Sequence, residues 1–185
     1  MLANIVGLLD AGIPASINSY ESIATASGTG SSGVITFSVI PSTYKHLQIR
    51  WVGKSTSTGS YTLLRFNSDS STNYTDHYVY GQGSNPVLTG SDVTQTSINL
   101  YGSLVTSSAA DLYAAHVVDI LDYTSTSKNK TVRAVGGQDS NGSGVVFLSS
   151  GLWSNSTTAI SSLTITANTG NFTTGSHFAL YGIKG

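Results

Sequence analysis

At 185 residues the chain fits one domain with room for a short added arm. Charged residues make up only 9% and the net charge is -1, so neither phosphate binding by clustered Lys and Arg nor charge-driven disorder is expected. There is no cysteine, which removes disulfides, thiolate zinc sites and cysteine nucleophiles together. Roughly three residues in ten are Ser or Thr, so the surface is polar but hardly charged, with little repulsion between copies.

The first stretch, "MLANIVGLLDAGIPAS", has no Lys or Arg before its apolar run, and Asp10 interrupts it. It reads as neither a signal peptide nor a membrane span. We assign residues 1–18 to an extended or partly helical arm, with Ile5, Leu8, Leu9 and Ile13 as candidate docking contacts on a neighbour or on the chain's own body. Residues 19–185 form the second unit, a β-domain. It opens on an extended piece, "SYESIATAS", followed by "GTGSSG", which reads as a flexible link.

Strand signals then follow in series. "VITFSVIP" puts Ile35, Phe37 and Val39 on one face and stops at Pro41. "HLQIRWV" puts Leu47, Ile49 and Trp51 inward. "SYTLLRFN" does the same with Thr62, Leu64 and Phe66, leaving Arg65 outside. In "TNYTDHYVYGQG" the residues Tyr74, Tyr78 and Tyr80 share parity and hence a face. "TSINLYG" follows. "ADLYAAHVVDILDY" has helical composition, yet an extended reading lines up Leu112, Ala114, His116, Val118 and Ile120. "TSTSKNK" is a polar turn before the return strand "TVRAVGG", a hairpin signature. "SGVVFLSSGLW", "AISSLTITAN" and "SHFALYGIK" complete the set, separated by Ser, Asn and Gly clusters. Many short strands without a sustained helical period predict an all-β fold, an antiparallel sandwich of jelly-roll type.

The chemistry-bearing residues point away from catalysis. The Gly-x-Ser-x-Gly elbow does not occur, and the single Glu21 sits near the arm. Most Asp residues fall at turns or strand ends, where Asp bends the backbone. His116 and Asp122 share a strand face but stand about 20 Å apart, too far for one ion. Asp76 and His77 diverge to opposite faces. No catalytic residue, cofactor or metal is expected. Tyr74, Tyr78 and Tyr80, with Trp51 and Trp153, suit a core or subunit interface better than a saccharide platform, the alternative reading.

The stretch "SYESIATASGTGSSGVITFSVIPSTYKHLQIRW" resembles the opening of a group of small tailed-phage virion proteins, which carry an extended "SYESIATV", a Gly/Ser link, a strand ending in "IP" and then "YKHLQIR". The end, "GLWSNSTTAISSLTITANTGNFTTGSHFALYGIKG", is similar to their close, and "RFNSDSSTNYTDHYVYG" is similar in type. These motifs form a strand-and-turn grammar with no catalytic signature. The resemblance implies a virion structural protein. Within that group the short chain beginning at Met1, without coiled-coil heptads and with an apolar arm, fits a head decoration (cement) protein, a homotrimer on the major capsid protein at the phage head surface. The alternative is a tail-tip or fibre module touching host glycan; a polysaccharide- or ester-hydrolysing enzyme is the remote one. Neither nucleic acid nor membrane is an expected partner.

Overall fold

The computed structural model describes residues 19–101, 105–106, 111–141 and 143–185. The expected arm, with Ile5, Leu8, Leu9 and Ile13, lies outside them. Thirteen strands are described: β1 (Tyr20–Ser27), β2 (Val34–Phe37), β3 (His46–Ser55), β4 (Thr62–Phe66), β5 (Tyr74–Gln82), β6 (Leu88–Gln95), β7 (Ile98–Leu100), β8 (Val105–Thr106), β9 (Ala114–Leu121), β10 (Lys130–Asp139), β11 (Gly144–Trp153), β12 (Leu163–Ala167) and β13 (His177–Ile183). No helix occurs among the described residues.

The strands form two sheets packed as a sandwich. The larger runs β1-β13-β3-β9-β10-β11-β5-β6 and the smaller β2-β12-β4-β7; β8 adds a short parallel pairing to β3. Four antiparallel pairs are nested one inside the next: β1 with β13, β2 with β12, β3 with β9, and β4 with β7. This is the jelly-roll plan, a long hairpin folded over on itself. Two additions widen the larger sheet. β5 and β6 lie in sequence between β4 and β7, and β10 and β11 between β9 and β12; together they extend the sheet beyond β9.

Period-two alternation explains which side chains meet between the sheets. Leu47, Ile49 and Trp51 of β3 face Leu64 and Phe66 of β4 and Leu163 and Ile165 of β12 across one core. β9 is a strand rather than a helix, and Ala114, His116, Val118 and Ile120 point inward. Leu112 precedes the strand and is half-buried. Trp51 stacks on the His116 ring, with centroids 4.5 Å apart and planes 6° from parallel.

Two local expectations are corrected. Val39 does not continue the inward face of β2. Its φ of 55° turns the chain, leaving Val39 89% exposed and burying Ile40 instead. A β-branched residue in the left-handed region is strained and holds only where neighbours fix it. Here Ile40 N–H donates to the Ser161 carbonyl at 2.9 Å. The second correction concerns "GTGSSG", which is pinned rather than flexible. Gly28 N–H donates to Ser176 O at 2.9 Å, Gly30 N–H to Phe172 O at 2.8 Å, and Gly33 O accepts from Ala167 N–H at 2.8 Å. A Cβ at Gly28 would lie 2.2 Å from Thr173 O. The glycine serves close backbone approach where the chain passes from one sheet to the other.

β13 is central, between β1 and β3. Phe178 and Leu180 enter the core, and the Tyr44 ring lies over Gly182, where a Cβ would come within 2.3 Å of it. Tyr44 Oη donates to Glu21 Oε2 at 2.9 Å, and Glu21 also accepts from Lys184 Nζ. Both charge-assisted bonds hold the Glu21 carboxyl below its usual pKa, the Lys184 contact most strongly.

Candidate functional site

Two surfaces stand out: an aromatic–acidic cluster where β5 and β6 meet β7, and the outward face of the larger sheet.

The cluster grows from the parity of β5. Tyr74, Asp76, Tyr78 and Tyr80 all turn inward. Tyr74 is 0% exposed and packs on Trp153, ring centroids 6.2 Å apart, so it offers no ring to solvent and drops out of any exposed platform. Trp51 and Trp153 are buried too. Tyr78 and Tyr80 are half-buried, their rings 5.9 Å apart. Tyr78 lies across Gly90 of β6, where a Cβ would meet its hydroxyl at 2.4 Å, and against Tyr101, centroids 3.7 Å apart. Tyr61 also stacks with Tyr101, centroids 5.7 Å apart. Tyr61 and Tyr101, which the sequence reading did not single out, thus join Tyr78 and Tyr80.

Acidic groups line the base of this aromatic patch. Asp76 and Asp92 are directly opposed across β5 and β6. Asn99 of β7 ties both: its backbone N–H donates to Asp76 Oδ2 at 3.0 Å, and its side-chain amide donates to Asp92 Oδ2 at 3.0 Å. The Tyr101 hydroxyl donates to the same Asp92 oxygen. Asp76 is 1% exposed, and burial pushes its carboxyl up to about 6, partly offset by the Asn99 bond and reinforced by Asp92. Burial, then the bond to Asp92, pushes the Tyr101 hydroxyl well above its usual range. One signal for this cluster was available: Asp76 shares parity with three tyrosines, which places a carboxylate on an inward face. Its partners come from strands whose register the sequence does not display.

The outward face of the larger sheet sorts into rows across the strands. Val117, Val135, Leu148 and Val79 are successive cross-strand partners on β9, β10, β11 and β5. Val135 and Leu148 are each 48% exposed. Beside this row, Val52, Ala115, Gly137, Val146 and Gly81 form a second one of small or apolar residues, with Val146 64% exposed. A shallow concavity of about 900 Å³ opens over Gly81, Ala115, Val117, Val135, Gly137 and Val146. On the other flank Asp119 accepts from Gln48 Nε2 at 2.7 Å and pairs with Arg133 at 2.6 Å.

Among the described residues no group of three or more His, Asp or Glu is placed to hold a metal ion. Ser27 Oγ and His177 Nδ1 are hydrogen-bonded at 3.0 Å at the end of β1 and β13.

No protein-family model matches the sequence, and no curated protein matches it. Among solved structures, the chain is similar to the galectin LEC-6 of Caenorhabditis elegans, at 10% identity over 92% of this chain and 99% of that one, with a TM-score of 0.33. It is also similar to the tripod (BppUct-A-L) from the baseplate of bacteriophage Tuc2009, at 7% identity over 89% and 64% of the two chains, TM-score 0.25. A third likeness is to protein SO2946 of Shewanella oneidensis, at 8% identity over 91% and 77%, TM-score 0.19. Similarity at these levels carries no conclusion about function.

Proposed function

We propose that the chain is a structural subunit of a tailed-phage virion, a head decoration protein that assembles as a homotrimer on the major capsid protein. The observation that carries this reading is the pair of apolar rows on the outward face of the larger sheet. Monomeric soluble proteins rarely leave such a contiguous strip in water. In a subunit built into a shell it becomes a contact, and sparse surface charge is then no liability. The mechanism is mass action. A trimer that binds the assembled lattice but not free capsid subunits stabilises the shell by its binding free energy, and three simultaneous attachments multiply the gain. No turnover is involved, and the protein acts at the head surface.

The test has two measurements on the full chain. Light scattering of the purified protein should give the mass of a trimer, and expanded heads should retain it through sedimentation. A monomer that stays in the supernatant would sink the proposal. Electron microscopy of virions separates head from tail placement.

A second reading is favoured by one observation, the half-buried rings of Tyr61, Tyr78 and Tyr101 beside Asp92 and Asn99, a combination suited to stacking and hydrogen-bonding a saccharide. It makes the protein a tail-tip or fibre module that touches host glycan. Binding to host glycans that Tyr78→Ala abolishes would select it.

A further inference from the structure

The apolar rows of the larger sheet call for a partner of a particular kind. Two identical sheet faces packed on each other make a two-fold, isologous contact. A three-fold ring is heterologous: the face of one subunit meets a different surface of the next. In a homotrimer the rows are therefore covered by some other part of the chain.

Residues 1–18 precede the first described residue and carry apolar side chains in close succession: Leu2, Ile5, Val6, Leu8, Leu9 and Ile13. The fold sets where this segment leaves the sheet. Lys184 N–H donates to Ser19 O, which continues the β1–β13 ladder past Tyr20. β1 then runs from Tyr20, level with Ile183 and His46, toward Ser27, level with His177 and Val52. The apolar rows lie at the levels of Arg50 and Val52, whose partners on β9 are Val117 and Ala115. Upstream of Ser19 the chain is thus directed away from the rows of its own subunit. Eighteen residues span up to about 60 Å. That is enough to cross an adjacent subunit's sheet, where strands lie about 4.8 Å apart.

Charge and shape agree. Asp10 is the one charged side chain within residues 2–13. Arg50 borders the rows, exposed, with its Nε donating to Gln48 Oε1 at 2.6 Å and its guanidinium over the Tyr20 and Tyr181 rings. Among the described residues no carboxylate pairs with Arg50, whereas Arg133 has Asp119. Gly81 lies in the concavity between the rows, and a Cβ there would meet only Val146 Cγ1, at 3.9 Å. Packing inside the subunit does not require that glycine, and glycine weakens a strand; it suits a place where another chain passes close by.

We propose that residues 2–13 of each subunit lie across the outward rows of its neighbour, with Asp10 against Arg50, so that three exchanged arms close the ring. The inference rests on the homotrimer reading and names the partner of that surface.

The chain has no cysteine, so engineered pairs report without background. Leu8→Cys or Leu9→Cys, combined in one full-length chain with Val135→Cys or Val146→Cys, should oxidise to a covalent trimer on a non-reducing gel. Co-expressed chains carrying one cysteine each should give a covalent dimer. In light scattering, Leu8→Asp with Leu9→Asp should lower the mass threefold and leave the melting temperature of the β-domain unchanged. Adding Val135→Lys and Leu148→Lys to that variant should restore the trimer, because each acidic arm then meets a basic face. A wild-type trimer whose mass ignores the acidic arm overturns the inference and leaves the homotrimer reading standing. A wild-type monomer overturns that reading and the inference with it. Disulfides that close only within one chain, or that form in none of the pairs, overturn the exchange of arms, and this readout holds even if the acidic variant fails to fold.

Discussion

Asp69 shows how much one polar residue can organise. It accepts from Asn73 Nδ2 at 2.9 Å, from the Ser71 N–H at 2.9 Å and from the buried Trp153 indole at 2.8 Å. These bonds, the Asn73 amide foremost, hold its carboxyl well below the usual carboxylate range. A depressed folded-state value stabilises the fold above the unfolded pKa of about 4, and the contribution is lost as pH falls from there toward the folded value. Melting curves should therefore show the wild type losing stability below about pH 4 more steeply than Asp69→Asn. Asp69→Ala leaves the Trp153 N–H without an acceptor and should cost about 1–3 kcal/mol at neutral pH in denaturant titration. At Gly182 the constraint is steric. Ala there must displace the Tyr44 ring, and with it the bond to Glu21, for an expected loss of about 1–3 kcal/mol in the same assay.

Among the elements, strands that alternate cleanly were legible: Leu47, Ile49 and Trp51 of β3, Thr62, Leu64 and Phe66 of β4, and the inward residues of β9. Period two reports a half-buried strand directly. Val39 was not legible, because its side chain fits the alternation and only its backbone departs. The Gly28–Gly33 segment was misread for a related reason: glycine marks flexibility and close approach alike, and only the facing chain distinguishes them. The Asp76–Asp92 pair needs register between strands, and that register shifts between Tyr74 and Asp76. For β13 the inward alternation gave the right strand, and the pairing adds that both its edges are occupied. Deleting Phe178 to Gly185 removes a central strand and two core side chains. The truncated chain should yield no soluble folded protein, judged by circular dichroism and gel filtration; a cooperative melt from it would contradict the architecture.

At the level of the whole molecule, the larger sheet has one face in the core and much of the other apolar. If the outward rows make subunit contacts, charge placed there should separate subunits without unfolding them. Val135→Lys with Leu148→Lys should shift the scattering mass to a monomer while costing only about 0.5 kcal/mol of stability at each exposed site. An unchanged mass would move the interface elsewhere on the molecule.

The nesting of the four strand pairs has a kinetic consequence. Tyr20 pairs with Ile183, and Lys184 N–H donates to Ser19 O at 3.1 Å, so the first described strand waits for the last to be synthesised. Folding that depends on such distant pairings is slow, since loop closure precedes its reward. Joining Gly185 to Met1 and reopening the chain within residues 124–129 would make β13 and β1 neighbours in sequence. Such a permutant should refold faster in stopped flow, with an unfolding rate close to that of the parent. It would turn an order of synthesis into an adjustable barrier.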